Sequence, residues 1–241
     1  MFCRQWADVA DAAVMLSEFA VAVFLLTCVI VFFSINLHNI VRFHRRRGAK
    51  AREKVERPFG LAVALAALGT IAYFAVTLLF LLVALAFAGF NSVLSVFPFG
   101  CRFPFIVYVQ VSGFVFTSLG YSVFIWSVIA RGKYAVSWTM PENHELVTWG
   151  PYHYVRHPSY LGYILMFTGL FLLWPGVFTF FPLLAIPGYY QLTFKEERLL
   201  TLHFGEKYRE YQRTTGRLVP RFRRKWARAH TVEFSLQSAK S

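Results

Sequence analysis

The stretch from Gly150 to Gly162, GPYHYVRHPSYLG, concentrates polar and aromatic side chains at the edge of a long apolar region. Its Gly150-Pro151 pair is typical of a turn. Pro158 suits the first turn of a helix, where its missing N–H needs no partner. The free N–H groups of that first turn, near Ser159 and Tyr160, predict a site for an anionic group such as a carboxylate.

The tyrosines and histidines of this stretch allow several interpretations. Tyr152, Tyr154 and Tyr160 offer aromatic faces that could cover an adenine ring or attract a cation. The alternative is an interfacial belt, because Tyr and Trp are enriched at membrane boundaries and Arg can extend from there toward water. His153 and His157 have the i, i+4 spacing of metal ligands on a helix, but His153 precedes Pro158 and so lies outside the predicted helix. We therefore predict no metal site.

A second polar cluster, Lys195-Glu196-Glu197-Arg198, follows the last apolar stretch. One interpretation is that these acidic residues lie at a helix start and complement the helix dipole. The other is functional, because a Glu that faces a cavity near the bilayer is costly without a partner. Arg156 could be that partner, or it could orient a cofactor carboxylate. The candidate catalytic residues are therefore Arg156, Glu196 and Glu197.

The elements that must position these residues are membrane helices. The chain has 241 residues, of which 57% are hydrophobic and 15% charged, with a mean hydropathy of +0.49. An ordinary soluble domain has roughly 45 to 50% apolar residues. Apolar stretches of the length that crosses a membrane lie at Val14–Leu37, Phe59–Phe87, Phe105–Ile129 and Tyr160–Tyr190. They do not alternate with period two, so the sequence predicts helices rather than a barrel.

The fourth apolar region is interpreted as a helical hairpin. Pro175-Gly176 marks its turn and leaves Ser159–Leu173 as a first arm of about 22 Å, shorter than the roughly 30 Å of a hydrocarbon core. We expect Pro182 and Pro187 to bend the second arm. After it, residues 194–222 predict an amphipathic cytosolic helix or helix pair.

The predicted fold class is all-α, a polytopic membrane protein of about five transmembrane helices with a cytosolic C-terminal helix. Residues 1–136 would hold the first three helices. Residues 137–222 would form the cofactor-binding and catalytic region, including the hairpin. Residues 223–241 form a basic tail, which we expect to be disordered or in loose contact with lipid.

The positive charges predict the orientation in the membrane. The net charge is +13, and eight of the 25 Lys and Arg residues lie in Arg42–Arg57, with twelve more after Phe194. The positive-inside rule then predicts an outside N-terminus and a cytoplasmic C-terminus. A basic collar facing anionic lipid headgroups explains the charge without nucleic acid. The membrane would be the endoplasmic reticulum in a eukaryote and the plasma membrane in a prokaryote.

Short motifs follow one another along residues 137–222: His144-Glu-Leu-Val, Gly150-Pro-Tyr, Arg156-His-Pro-Ser-Tyr-Leu-Gly, Glu196-Glu197, Phe204-Gly-Glu-Lys-Tyr and Gly216-Arg-Leu-Val-Pro. In this order and spacing they resemble the isoprenylcysteine carboxyl methyltransferase family of integral membrane enzymes. The resemblance implies transfer of a methyl group from S-adenosylmethionine to a lipophilic acceptor. The cofactor would lie in a cytosolic pocket, and the acceptor would arrive from the bilayer.

The resemblance also implies roles for individual residues. The cofactor would be held by His144, Glu145, Leu146, Val147, Tyr152, His157, Pro158, Ser159 and Tyr160. The substrate side would be lined by Glu196 and by the residue four positions before it. The family has an Arg there, whereas this sequence has Leu192, so an acceptor carboxylate would lose its obvious guanidinium partner.

Several functions remain open at this point. The favoured acceptor is a prenylcysteine-type carboxylate, which needs no deprotonation at neutral pH. A phospholipid amine or a small thiol is the alternative, and Glu196 or Glu197 could then accept the proton. A sterol reductase ranks lower, because the sequence lacks a G-x-G-x-x-G fingerprint. A non-catalytic membrane scaffold is the alternative from another class, and it would show no saturable binding of S-adenosylmethionine.

Overall fold

The computed structural model describes residues 18–45, 60–86, 105–132 and 145–221. Within these ranges the regular elements are helical, apart from one isolated bridge, which confirms the all-α prediction. The helices are α1 (Glu18–Arg45), α2 (Leu61–Ala86), α3 (Ile106–Arg131), α4 (Pro158–Leu173), α5 (Val177–Phe180), α6 (Ala185–Phe204) and α7 (Glu206–Thr214). His144 and the predicted disordered tail, 223–241, lie outside the described residues.

Four helical stretches are long and apolar enough to cross a membrane: Phe19–Val41, Leu61–Ala84, Ile106–Arg131 and Val177–Phe204. Helix α4 has only 16 residues, or about 24 Å at 1.5 Å per residue. It is therefore short for a full crossing, as the hairpin interpretation expects. The chain is a multi-pass membrane protein.

Large apolar side chains on the outside of the helices agree with a lipid environment. On α2, Leu68 is 65% exposed, Ile71 64% and Leu78 58%. In water such an apolar surface would mark an interaction site, whereas lipid is its natural solvent. The side chains of α2 that are buried point instead toward the other helices, as with Tyr73 and Phe80.

Helices α3 and α4 form the closest pair in the bundle, and glycines make their approach possible. A Cβ atom placed on Gly113 would lie 2.6 Å from the backbone N of Leu173, and one on Gly120 would lie 2.7 Å from the N of Met166. On α4, a Cβ on Gly162 would lie 2.9 Å from the carbonyl O of Gly120. Small residues at such spacings let membrane helices pack backbone against backbone. The two helices run antiparallel, so the end of α3 meets the start of α4.

Helices α2 and α6 pair in a similar way. A Cβ atom on Gly188 would lie 2.6 Å from the carbonyl O of Ala62. The hydroxyls of Thr70 and Tyr189 are 2.6 Å apart and share a hydrogen bond. Because the pairing is antiparallel, the C-terminal half of α6 lies near the start of α2. The start of α4 and the end of α3 lie at the same end of the bundle, which we call the site end.

The second arm of the hairpin differs from the prediction. The helix is interrupted at Pro182, where residues Phe181–Leu184 form a 3-10 turn. Pro187 produces no break, because it is the third residue of α6, where the backbone N–H needs no helical partner. From there α6 runs without interruption to Phe204, so no separate helix begins at 194. It ends at Gly205, whose φ of 57° suits glycine.

Candidate active site

The Gly150–Gly162 stretch folds as a turn followed by a helix, as predicted. Residues Gly150–His153 form a 3-10 turn with Gly150 at φ 62°, and Pro158 is the first residue of α4. His153 lies exposed on the turn, whereas His157 is buried directly before the helix. The predicted i, i+4 pair therefore does not lie on one helix face.

A later part of the chain returns to hold the residues before α4. Val155 and Gly216 form an isolated parallel bridge. The backbone N of Arg156 donates to the carbonyl of Gly216 at 2.8 Å, and that of His157 donates to the carbonyl of Arg217 at 3.1 Å. This two-bond connection fixes the direction in which the Arg156 and His157 side chains leave the backbone.

The carboxylate of Glu197 is the centre of a buried charge cluster. Its Oε1 accepts hydrogen bonds from Nε of Arg156 at 2.9 Å and from Nε of Arg217 at 3.1 Å. Its Oε2 accepts from Nη2 of Arg217 at 2.9 Å and from Nε2 of Gln212 at 3.0 Å. The Glu197 side chain is only 6% exposed. Its contacts with two guanidinium groups offset the cost of removing its charge from water.

The Arg156–Glu197 pair was one of the two roles expected for Arg156, and this contact is present. Arg156 also donates to the backbone carbonyls of Gln212 and Thr215. The dipole interpretation of the acidic pair is wrong, because Glu196 and Glu197 lie in the second half of α6, far from its start. They face α4 instead.

His157 lies between the two carboxylates. Its Nδ1 is 3.3 Å from Oε2 of Glu196, and its Nε2 is 3.2 Å from Oε1 of Glu197. Burial opposes the charged imidazole, but the hydrogen bonds and charges of the two carboxylates outweigh it, so the pKa of His157 is raised above its ordinary value. A carboxylate oxygen lies beside each ring nitrogen, so the protonated ring can donate to both glutamates at once.

The two neighbouring glutamates have different surroundings. Glu196 accepts a hydrogen bond from the Tyr160 hydroxyl and keeps 27% of its side chain exposed. The Tyr160 ring also stacks on His157 at 5.7 Å between centroids, with an angle of 4° between the planes. Glu197 is saturated by its cationic partners, so Glu196 is the carboxylate that a ligand can reach.

A group of polar side chains joins the end of α3 to the start of α4. The hydroxyls of Ser127 and Ser159 are 2.7 Å apart, and Nη2 of Arg131 donates to the Ser159 hydroxyl at 3.0 Å. The Nε of Arg131 is buried without a hydrogen-bond partner among the described residues. The Tyr152 hydroxyl is near this group, and the pKa of Tyr152 is raised because burial outweighs the effect of Arg131.

The other predicted cofactor residues lie beside α7. Leu146 is buried against Tyr208 and Tyr211, and the Tyr211 hydroxyl donates to the carbonyl of Tyr152. Val147 is half-buried and Glu145 is exposed. Of the predicted residues that the structure describes, Tyr152 and 157–160 meet in one place, and 145–147 flank them.

On the membrane side, the site continues into an aromatic wall. Tyr189, Leu192 and Glu196 lie on one face of α6, and Leu192 is buried. The ring of Tyr189 lies 5.0 Å from that of Tyr160 and 5.1 Å from that of Tyr163. The wall therefore leads from the open carboxylate of Glu196 into the apolar core.

The residues present fit S-adenosylmethionine. That molecule carries a carboxylate, an ammonium group, a sulfonium centre and an adenine ring. The orphaned Nε of Arg131 suits the anionic group, and the partly exposed Glu196 suits a cation. Tyr152 and Tyr160 add aromatic surface close to both.

Sequence reasoning missed Arg217, Gln212 and Arg131. Gly216-Arg217 stood in a quoted motif, but nothing in its spacing indicates contact with Glu197 at a separation of 20 residues. Arg131 resembles an ordinary interfacial arginine at the end of an apolar helix. The contacts of Arg217 and Arg131 depend on how the helices are arranged in the bundle, which a single sequence does not give.

Comparison with known proteins finds methyltransferases that are similar to part of this chain. Residues 108–207 match the model of the phospholipid methyltransferase family. This region contains α4, most of α3 and α6, and both glutamates.

A curated relative matches a longer part of the chain. It is the protein-S-isoprenylcysteine O-methyltransferase of Schizosaccharomyces pombe, 32% identical over 130 residues, which cover 52% of this chain and 55% of the relative. The match thus spans about half the length of each protein. Through this region the chain is similar to an isoprenylcysteine O-methyltransferase and to the phospholipid methyltransferase family, in agreement with the resemblance seen in the motifs.

Proposed function

We propose that this protein is an integral membrane methyltransferase that moves a methyl group from S-adenosylmethionine to a lipophilic acceptor. The observation that carries the proposal is the meeting of His157 and Tyr160 with Glu196 and Glu197, inside the region that matches methyltransferases. These residues are separated by 36 to 40 positions in sequence. The catalytic role of Arg156, Glu196 and Glu197 and the cofactor roles of 144–147, Tyr152 and 157–160 are part of the proposal.

The cofactor would supply an activated methyl on a positively charged sulfur, so transfer needs alignment and exclusion of water more than a strong base. Tyr152, His157 and Tyr160 would orient it at the start of α4. Glu197 would act through Arg156 and Arg217 by holding that start in place. Glu196 would face the reacting groups, where it could accept a proton from an amine or thiol.

The first candidate acceptor is a prenylcysteine-type carboxylate, because the curated relative is named for that reaction. A carboxylate acceptor needs a cation to offset the repulsion of Glu196, and Leu192 does not provide one. A protonated His157 would supply a positive charge beside Glu196, which it already contacts.

The second candidate is a phospholipid amine, which the neighbours of Glu196 favour. An open carboxylate beside two tyrosine rings attracts a cationic amine and can take its proton. Apolar Leu192 then needs no substitute for a guanidinium group. The family match to phospholipid methyltransferases supports this candidate.

The test is an assay of the purified protein with tritiated S-adenosylmethionine and three acceptors: a farnesylcysteine analogue, a lipid amine and a small thiol. We expect one lipophilic acceptor to be labelled. His157→Ala should lower the rate by about 10- to 100-fold, because a charge-assisted contact is worth about 1.5 to 3 kcal/mol. Tyr152→Ala should weaken binding of S-adenosylhomocysteine.

Glu206→Gln is the matched control, since Glu206 is 64% exposed on α7 and pairs only with exposed arginines. It should retain activity. Absence of saturable S-adenosylhomocysteine binding, with silent His157 and Tyr152 variants, would instead support a membrane scaffold.

A further inference from the structure

Arg131 is a cation at the site end whose role the ion pairs of the described residues do not explain. It is the last residue of α3 and is only partly exposed. Arg156 and Arg217 pair with Glu197, and Arg209 and Arg213 pair with Glu206. Among the described residues, no carboxylate lies within ion-pair distance of Arg131.

The position at a helix end has an ordinary explanation, which the geometry of the side chain opposes. An arginine at the end of a membrane helix usually extends its guanidinium group toward water and lipid headgroups. Here Nη2 donates to Ser159 across the interface between α3 and α4, and Nε is buried with no partner in the part of the chain that the structure describes. The side chain therefore turns inward.

Among the described residues, the groups beside the inward guanidinium include the neutral hydroxyls of Ser159 and Ser127. Ser159 already shares a hydrogen bond with Ser127 at 2.7 Å, and Ser127 in turn donates to the carbonyl of Phe124. A buried donor left without a partner is unfavourable, because it has lost its hydrogen bonds to water. An anionic ligand would remove that cost and balance the charge.

We propose that Arg131 binds the carboxylate of S-adenosylmethionine, with Ser159 beside it. This inference rests on the proposed function, and it adds a binding residue that neither the motifs nor the family resemblance assigned. Ser159 is the second residue of α4, so the carboxylate would also lie near the free N–H groups at the start of that helix. Tyr152, which is buried beside Ser159 and Arg131, would then be close to the rest of the ligand.

The test compares two ligands that differ only in this group: S-adenosylmethionine and its decarboxylated form. Calorimetry would give both dissociation constants for the full-length wild-type protein and for Arg131→Gln. We expect wild type to prefer S-adenosylmethionine and Arg131→Gln to bind it about 10- to 100-fold more weakly, the range for a lost charge-assisted contact. Binding of the decarboxylated ligand should change little.

Two further variants complete the experiment. Arg213→Gln removes an equal charge from a side chain that is 71% exposed, and it should leave both constants unchanged. Arg131→Lys keeps the charge but loses the planar fork, so it should show a smaller loss for S-adenosylmethionine alone. If Arg131→Gln fails to fold, the Arg131→Lys variant still tests whether Arg131 binds the carboxylate.

The outcomes separate this inference from the proposed function. Equal loss for both ligands would mean a structural role for Arg131 and would overturn the inference, as would an unchanged affinity for S-adenosylmethionine. In both cases the methyltransferase proposal stands. A wild-type protein that binds neither ligand would overturn both.

Discussion

At the scale of single residues, the adjacent glutamates of α6 have different chemistry because they have different neighbours. Glu197 is surrounded by Arg156, Arg217 and Gln212, whereas Glu196 contacts Tyr160 and His157. A saturated carboxylate fixes structure, and an open one can meet a ligand. The sequence shows that the two glutamates are adjacent, but it does not indicate which one is saturated by partners and which one is open.

This difference predicts that a Glu→Gln substitution has different effects at positions 196 and 197. Glu197→Gln would leave two guanidinium groups without their counter-charge, and breaking a buried pair costs about 3 to 5 kcal/mol. Glu196→Gln should lower the thermal midpoint much less, because Glu196 is partly exposed, but it should slow methyl transfer. Thermal unfolding in detergent, together with the acceptor assay, measures both. Equal loss of stability in the two variants would contradict the assignment.

Arg217 predicts a second effect at this scale. Arg217→Ala should lower stability by about 1 to 3 kcal/mol, because it removes two hydrogen bonds to a buried carboxylate. Arg217→Lys should recover only part of the loss, since an ammonium group cannot make the two-point contact. Arg213→Ala, which breaks an exposed pair with Glu206, should have almost no effect. A loss of similar size in that control would point to surface charge rather than to the cluster.

His157 makes stability depend on pH. Its pKa in the folded protein is raised, so the folded state holds the proton more tightly than the unfolded chain. The resulting stabilisation is fully present below the unfolded value of about 6.5 and is lost as pH rises through the folded pKa. The thermal midpoint should therefore fall on the alkaline side of 6.5, and His157→Gln should flatten this part of the profile.

At the scale of helices, the α3–α4 contact depends on residues that have almost no side chain. Gly113 faces the backbone of Leu172 and Leu173, and a Cβ atom there would lie 2.6 to 2.9 Å from three backbone atoms. Backbone cannot move aside as a flexible side chain can. Further along the same pair of helices, Gly120 and Gly162 make a second close contact, so packing inside the membrane aligns the end of α3 with the start of α4.

We therefore expect Gly113→Ala to destabilise the protein by about 1 to 3 kcal/mol, the range for overpacking. Its neighbour Ser112 is exposed on the same helix, and Ser112→Ala should be neutral or slightly stabilising, because alanine is the better helix former. The measurement is the thermal midpoint of both variants in one detergent. If Gly113→Ala were as stable as Ser112→Ala, the close approach of the helices would be refuted.

The sequence predicted the elements better than their ends. Apolar length located α2 and α3 to within about two residues, and Pro158 marked the start of α4 correctly. The end of α6 was missed, because the change from apolar to charged residues near 194 was interpreted as a helix boundary. A helix that leaves the apolar region continues while its hydrogen bonds and packing persist, and here it ends at Gly205. The contacts of Arg217 and Arg131 could not be predicted, since they depend on which helix ends meet.

At the scale of the whole molecule, the described bundle places a charged site at one end and an aromatic wall beside it. The wall of Tyr160, Tyr189 and Tyr163 passes into the apolar core. A water-soluble ligand and a membrane-bound acceptor would thus approach from different directions. This arrangement agrees with a lipophilic acceptor rather than a soluble one.

The arrangement predicts how the rate depends on acceptor concentration. In mixed micelles, the rate should follow the mole fraction of acceptor within the micelle, because the acceptor would arrive by lateral diffusion. Adding inert detergent at constant total acceptor should lower the rate, while the apparent affinity for S-adenosylmethionine should not change. A rate that follows only the bulk concentration of acceptor would contradict arrival through the membrane.

The return of the chain along residues 215–217 also determines when the site is completed during biosynthesis. All the described helices precede this segment, and chains fold from the N-terminal side as they are made. Until Gly216 and Arg217 have been synthesised and docked, the start of α4 lacks its two backbone bonds, and Glu197 has one guanidinium partner instead of two. A chain stopped before this segment would keep the described helices but lack these contacts, so we expect it not to bind S-adenosylmethionine.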